Sequence, residues 1–594
     1  MKKFIYSILA ISAVLGTSAC AGRLEIPQKG VTAIENFYQT DADAEAALTA
    51  AYASFATNVP GRGAGFIYTP YKLMLNNCGD DFYAAGSNFG DNDFNATLNE
   101  FRYDSGHQTI REFYSGLFQS VYTCNLVIDH FKDGLPNGGP TATTKRCVAE
   151  ARTLRAYNYL LLATLWYNPP FVDHVLDADV IPYNCDKDPE NPMSHEDLLK
   201  WVAQECLDAA NDLDERASTS DKNGAVKATK GFAWAVAGKA YVFLEDWASA
   251  KTALKKVIDS GKYELVSGDK YWENFHIEGD GNSEKIFESN LEYNASIGAW
   301  GGINQRSTWM EANMWSWRSD HFVLPPHSKY TGGQDGWGGL GVPQWFGDEF
   351  FANDGHSPRF DATLKHIDDA VYNMEYNDES INKMTLEQKK ASDKVGIKDP
   401  TWGLYGQSFW LGFKQMLRGT DTNPAYGGNV RLNNNVVMRY AEVLLLYAEA
   451  CLNTNDKSQA YWAINKIQKR AGSKTITAEA DITMDVLKKE KSYELWMEGC
   501  RFQDILRWGD TKRLEAAGSD VPILYDKLFR APQSGDKNVT WEHGTEANSR
   551  FYTVSTTKAK DAGYTVGYTA KNRYFPFPME VMEKNGNLTQ REGF

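Results

Sequence analysis

The residues in this chain best suited to chemistry are aromatic rings set among amides and carboxylates. Stretch 299–318, AWGGINQRSTWMEANMWSWR, carries Trp300, Trp309, Trp315 and Trp317, and stretch 78–95, CGDDFYAAGSNFGDNDFN, carries Phe82, Tyr83, Phe89 and Phe94. A pyranose offers axial C–H patches that lie on an aromatic face, and equatorial hydroxyls that take paired hydrogen bonds from Asp, Asn, Gln or Arg. Aromatic platforms rimmed by planar polar groups meet both demands. The candidate ligand-binding residues are therefore Trp300, Trp317, Trp309, Trp315, Tyr83, Asp81, Asn88 and Arg318. Burial is the competing reading for each ring. The 309/315/317 spacing is neither helical nor alternating, and some of these rings must cover the loop's own small core. One or two platforms are expected, Trp300 and Trp317 ahead of Trp309 and Trp315. For Asp81, Asn88 and Arg318 the competing reading is a turn cap or a surface ion pair.

Catalytic patterns are missing from the sequence: it has no HExxH, no GxSxG, no P-loop and no metal-type Cys/His spacing among ten histidines. Gly336, Gly338 and Gly341 in GWGGLG match GxGxxG. No apolar strand precedes them, however, and VPQW rather than a helix start follows, so a loop is expected there. DNDFN at 91–95 begins like a calcium loop, but Ala96 stands where the turn glycine belongs and Arg102 where the bidentate acid belongs. Adjacent acids such as Asp80 and Asp81 do not supply the facing geometry of a glycosidase pair, roughly 5–9 Å apart. No enzyme, metal or cofactor is expected.

The elements that must carry those loops are helices. From Asp41 the run DADAEAALTAAYASFA sets Ala47, Leu48, Ala51 and Phe55 on one stripe, with Asp41 or Asp43 as N-cap. EARTLRAYNYLLLATLWY, 150–167, is stopped by Asn168-Pro169-Pro170. Between Lys227 and Ile258 two helices hinge near Glu245-Asp246. There Trp234, Gly238, Tyr241, Trp247 and Ala250 approximate a tetratricopeptide pattern, in which small residues let paired helices approach. A second pair, RYAEVLLLYAEACLNTNDKSQAYWAINKIQKRAG, turns at Asn453–Lys457. One helical hairpin cannot bury its own face, so about four such pairs are expected, from helices near 41–56, 108–133, 144–167, 194–215, 228–258 and 437–508. The fold class is mainly α: a tetratricopeptide-like scaffold with long loop-rich insertions at 60–105, 268–345, 395–435 and 530–594. Trp234, Trp247, Trp496 and Trp508 occupy helical packing positions and are expected in the core.

At the N-terminus Lys2 and Lys3 precede an apolar run, and Ser18 and Ala19 sit immediately before Cys20. This reads as a lipoprotein export signal over 1–19 with lipidation at Cys20, although Thr17 stands where such signals usually carry Leu. The alternative is an ordinary secretory signal. No later run is long and apolar enough to span a bilayer. Of eight cysteines, the seven beyond Cys20 show no CxxC spacing and read as small buried apolar residues rather than a disulfide framework. The formal charge of −15 disfavours nucleic acid and polyanionic ligands, so a neutral ligand is expected.

Four stretches together resemble the SusD/RagB family, the lipidated surface glycan-binding partners of TonB-dependent outer-membrane transporters. They are the lipoprotein start with FYQTDADAEAALTAAYAS; EARTLRAYNYLLLATLWYNPPFV; RYAEVLLLYAEA; and KKEKSYELWMEGCRFQDILRWGD with the terminal YFPFPMEVMEKNGNLTQREGF. Ala21, Gly22 and Arg23 depart from the acidic cluster that often follows the lipidated cysteine in this group, so display on the cell exterior is implied by the resemblance alone. The resemblance implies a single body over 20–594, with an N-terminal part about 20–260, a loop-rich ligand region about 265–435 and a C-terminal SusD/RagB part about 300–594. It further implies a non-catalytic outer-membrane lipoprotein that binds oligo- or polysaccharide and delivers it to a SusC-like transporter barrel. A peptide-capturing subunit of the same kind of transporter and a purely structural helical-repeat adaptor are the alternatives. The tryptophan-rich loop favours glycan, because an adaptor needs no displayed rings and a peptide site relies less on ring faces.

Overall fold

The computed structural model describes residues 37–59, 71–290, 314–325, 336–416, 418–421, 432–542, 544 and 549–594; Cys20, Trp300 and Trp309 lie outside them. Helices α1 (Asp41–Asn58), α2 (Gln108–Phe131), α3 (Ala142–Trp166), α4 (His195–Ala209), α5 (Lys230–Phe243) and α6 (Trp247–Asp259) each pack on the next in chain order. Beyond α7 (Gln344–Asp354) the stack resumes, with α6 against α8 (Tyr440–Asn453) and α8 against α9 (Lys457–Ala471). Taken in twos, α1/α2, α3/α4, α5/α6 and α8/α9 are the four pairs that the repeat spacing predicts. The fold is mainly α.

Local chemistry sets the helix ends. The cap of α1 is Thr40 rather than Asp41 or Asp43: the Thr40 hydroxyl accepts from the Asp43 N–H, and the Asp43 carboxylate returns to the Thr40 N–H at 2.9 Å. Asp43 thus supplies the reciprocal half of a capping box, a role that side-chain type alone does not separate from capping. In α3 every side chain from Thr153 to Trp166 is buried, as befits a helix flanked on both sides in the stack. Tyr167, at φ 71°, then ends it before the two prolines. Gly238 lies under α6, where a Cβ would stand 2.5 Å from Leu254 Cγ; its missing side chain sets the close approach of the α5/α6 pair.

The 437–508 region is less continuously helical than the sequence suggests. Strand β7 (Asn435–Arg439) precedes α8, and α10 (Met484–Glu494) is separated from α11 (Arg501–Trp508) by a turn in which Met497 and Gly499 take positive φ. Two of the quoted sequence stretches meet here. Arg439 donates to Glu498 through Nε at 2.8 Å and Nη2 at 2.6 Å and also reaches Glu494 and Glu284, while Arg507 and the Trp508 indole both donate to Glu449. Arg359, Arg470 and Lys414 complete a buried network around the same carboxylates.

Trp496 is buried, in that turn rather than on a helix. Trp234, Trp247 and Trp508 are half-buried, which corrects the expectation of full core positions. The first two cover the rim of the large helical core, and Trp508 lies under Lys488 and Arg507. Cys78, Cys124, Cys147, Cys185, Cys206, Cys451 and Cys500 are all buried free thiols.

The loop-rich half holds short strands: β1 (Tyr83–Ala84), β2 (Lys285–Ser289), β3 (Leu340–Gly341), β4 (Leu364–His366), β5 (Leu404–Tyr405), β6 (Trp410–Gly412), β8 (Val521–Asp526), β9 (Lys537–Trp541) and β10 (Phe551–Thr556). They pair as β1–β3, β2–β7, β4–β6 and a sheet ordered β5-β8-β10-β9, all antiparallel. A helix does begin after GWGGLG, since Pro343 is the N-cap residue of α7, contrary to the sequence reading. The glycines there serve close packing. A Cβ on Gly341 would stand 1.7 Å from the Gly406 carbonyl, and one on Gly336 2.4 Å from Ser316. Smaller cores lie under these strands, apart from the large helical one.

Candidate functional site

Tyr83 leaves the turn after Asp81 on β1, held opposite Gly341 of β3. The next residues pass Gly86, which bridges to Tyr405 at the start of the larger sheet. The half-buried rings of Tyr83, Phe89 and Trp541 rest there against Tyr405, Ile523, Tyr525 and Tyr552. Burial, reinforced by the nearby Asp520 carboxylate, raises the Tyr83 hydroxyl above its ordinary range.

Residues 87–91 form a tight turn beside these rings. The Asp91 carboxylate accepts from the Ser87 N–H at 2.8 Å, the Asp91 N–H donates to the Asn88 carbonyl at 3.2 Å, and the Asn88 amide donates to the Ser87 hydroxyl at 3.0 Å. Arg318 closes the turn from the second loop. Its guanidinium grips Asp320 with two bonds, at 2.8 and 3.1 Å, and stands 3.6 Å from Asp91. Candidate residues more than 220 positions apart are thereby brought to one rim: Tyr83, Asn88 and Arg318. Asn88 and Arg318 also fulfil the competing reading, since each is engaged in a turn or an ion pair.

Three other candidates are not on that rim. Trp317 is buried beside Phe322, Leu411 and Phe413, and its indole N–H donates to the Gly412 carbonyl at 2.7 Å. Trp315 is buried with Phe82, Phe346, Trp410 and Trp496. Both rings are core in this structure, which corrects the ranking that put Trp317 among the first platforms. The reason is local: 314–325 packs beneath β6 and β3, where Met314 and Trp315 enter one small core and Trp317 and Phe322 another. Asp81 is fully buried, and neither carboxylate oxygen receives a hydrogen bond from another described residue. Burial first and Asp80 second push its carboxyl up to about 8, against the opposing pull of Arg501. A ligand on the rim cannot reach it. Its neighbour Asp80 is the ion-pairing member, held by Arg501 at 2.8 and 3.0 Å.

Residues not singled out by sequence supply the rest of the rim. Trp541 comes from β9 and Asp320 from the turn after Arg318. A further exposed ring, Trp402 at 42%, stands apart from that cluster in a turn three residues before Tyr405, where its N–H and that of Thr401 donate to Asp399. A readable signal existed only for Trp402, a large ring in the turn-rich stretch DPTWG. Among the described residues no group of three or more His, Cys, Asp or Glu side chains is placed to hold a metal ion. No described helix is long and apolar enough to cross a membrane.

Comparison with known proteins follows the same lines. The sequence model of the SusD family matches residues 283–594, more than half of the chain. SusD-like protein P25 of Formosa agariphila is 22% identical over 531 residues, covering 84% of this chain and 89% of that protein. A SusD-like protein of Bacteroides ovatus is 22% identical over 498 residues, 80% of each. Among solved structures, surface glycan-binding protein A from Bacteroides thetaiotaomicron superposes with a TM-score of 0.69 at 19% identity, covering 94% of this chain and all of that one. The same protein in complex with laminarihexaose gives 0.67 at 18% identity, covering 93% of this chain and 99% of that one. At these identities the structural likeness establishes the shared fold.

Proposed function

Because the chain belongs to the SusD family, we propose that it is a non-catalytic, lipid-anchored outer-membrane protein that binds oligo- or polysaccharide at the cell surface and passes it to a SusC-like TonB-dependent transporter barrel. The observation that carries the glycan reading is the clasp between Arg318 and Asp91. It joins the two aromatic-rich loops into one rim, where Tyr83, Phe89 and Trp541 offer ring faces and Asn88 and Arg318 offer planar donors. Such a mixture suits the alternating apolar and hydroxylated faces of a pyranose. Trp300 and Trp309, which share the sequence stretch 299–318 with Arg318, are proposed as further platforms. Structural relatives described as laminarin-binding or solved with laminarihexaose support an oligosaccharide as the ligand class. Cys20 is the proposed lipidation site; acyl chains there would keep the body beside its transporter and raise its effective concentration at the barrel mouth.

Affinity gel electrophoresis against a panel of neutral polysaccharides tests the reading. At least one glycan is expected to retard the protein, and Tyr83→Ala and Trp300→Ala are each expected to weaken that retardation about tenfold, the cost of losing a stacked ring of roughly 1–3 kcal/mol. Retardation by no polysaccharide, or retardation of both variants equal to the parent's, removes the glycan site from this rim. Copurification of the tagged protein from outer membranes tests the partner, and Cys20→Ala is expected to release the protein from them.

A further inference from the structure

In the helical half, away from that rim, a groove of about 690 Å³ runs beside α2. Tyr114, Phe118 and Tyr122 line it from the helix, Leu176 and Pro182 from the segment after α3, and Val581 from near the C-terminus. Spaced four apart, the three α2 rings form one ridge about 12 Å long, at roughly 1.5 Å per residue. Tyr122 is 52% exposed, and Val180 and Ile181, beside Pro182, are about as open. Apolar side chains gathered on one face in this way gain free energy from a cover.

The lip of the groove sets what a cover must carry. Between Leu176 and Pro182 the chain turns at Asp177–Val180, where the Val180 N–H donates to the Asp177 carbonyl at 3.1 Å, and both Asp177 and Asp179 are exposed. Residues 173–181 hold three aspartates and no lysine or arginine. Among the described residues neither Asp177 nor Asp179 has an ion-pair partner, whereas Asp173 lies 2.8 Å from His174. On the opposite lip Glu583 and Lys584 offset each other, and Glu580 is paired with Arg111. The uncompensated charge is therefore negative. It disfavours an anionic lipid surface and a second copy of this chain, which would bring the same lip and a formal charge of −15, and it favours lysine or arginine. None of the residues lining the groove belongs to a strand, so no sheet edge is offered to an extended segment, while a ridge of residues four apart seats a second helix.

We propose that this groove docks an amphipathic helix of a partner protein, with aliphatic side chains over Tyr122, Phe118 and Tyr114 and lysine or arginine side chains against Asp177 and Asp179. About two helical turns cover the ridge, so a few apolar anchors on one face of the partner helix suffice. The apolar contact supplies affinity. The two carboxylates supply orientation and choice of partner.

Fluorescence anisotropy with a labelled synthetic helix tests this. The probe is a peptide of about fourteen residues with leucine on one face and lysine on the other, titrated with the full-length chain without its leader. Its twin carries glutamate in place of every lysine. The lysine probe is expected to bind the parent, about tenfold less tightly to bind Tyr122→Ser and about threefold less tightly Asp177→Asn/Asp179→Asn, while the twin is expected not to bind. Glu479→Gln/Asp481→Asn removes the same charge beyond α9, at the other end of the helical stack, and is expected to bind as the parent does. Thermal midpoints equal to the parent's show that these exposed substitutions leave the fold intact. No binding of the lysine probe, equal binding of the glutamate twin, or unchanged affinity in Tyr122→Ser or in the lip pair overturns the proposal. A remote pair that weakens binding as much as the lip pair also overturns it, since the attraction would then belong to the whole acidic surface.

Discussion

Asp81 shows how far burial alone can redirect a residue's role. Its carboxyl is raised to about 8 in the folded protein, against an ordinary carboxylate value near 4 in the unfolded chain. Between those two values the native state holds a proton that the unfolded state has released, so this group lowers stability as pH rises from about 4 to about 8. Asp81→Asn is therefore expected to match the parent near pH 4 and to exceed it at pH 8 by on the order of a few kcal/mol, read from urea midpoints at the two pH values. A parent and variant that differ equally at both would show that the carboxyl is ionised in the native state. Trp317 makes a companion case. With its ring in the core and its N–H on Gly412, Trp317→Ala is expected to cost about 3–5 kcal/mol of stability through the cavity left behind. A variant as stable as the parent would return Trp317 to the list of displayed rings.

Between elements, the decisive contacts are made where side chains are small. Gly238 holds α5 against α6 with no room for a Cβ beside Leu254. Alanine there gains up to about 1 kcal/mol of helix propensity, which partly offsets the clash, whereas a β-branched residue gains less and clashes more. Gly238→Val is accordingly expected to lower stability by about 1–3 kcal/mol and to loosen amide protection in both helices of the pair, measurable by hydrogen exchange. Protection lost in α5 alone would mean that the helix itself, and not the packing, had failed.

For the molecule as a whole, the buried network around Glu494 ties parts of the chain that are far apart in sequence. Glu494 meets Arg359, Arg439 and Arg470; Glu284 shares Arg439 and Arg470 with it, and Glu498 shares Arg439. Despite its burial, the surrounding arginines hold the Glu494 carboxyl down to about 2. A carboxylate depressed in this way stabilises the fold above its unfolded value of about 4.5, and that contribution is lost as pH falls toward 2. Glu494→Gln is expected to be destabilised by about 3–5 kcal/mol at pH 7, because three buried cations lose a shared counter-charge, with the gap from the parent narrowing below pH 4. A gap that stays constant with pH would assign the loss to packing.

The sequence by itself determined the helical stack and the family, because both rest on local patterns. A 3.6-residue apolar period, small residues at the approach points of a hairpin, and the pairing of RYAEVLLLYAEA with ELWMEGCRFQDILRW are all written in short stretches, and the last turned out to be a set of ion pairs from Arg439 and Glu449 to the second motif. The chemistry expected of the loops was legible only as composition. Trp315, Trp317, Tyr83 and Asp81 are all ligand candidates when read from their neighbours in sequence, and the ranking among them put Trp317 ahead of Trp315. Which of them faces solvent depends on strands that pair across hundreds of residues, such as β1 with β3 and Gly86 with Tyr405. An indole stabilises a structure by burying its ring and binds a sugar by exposing it, so the same residue type serves either end. Only the tertiary structure, by placing 314–325 beneath β6 and leaving 83–91 at the rim, decided between them.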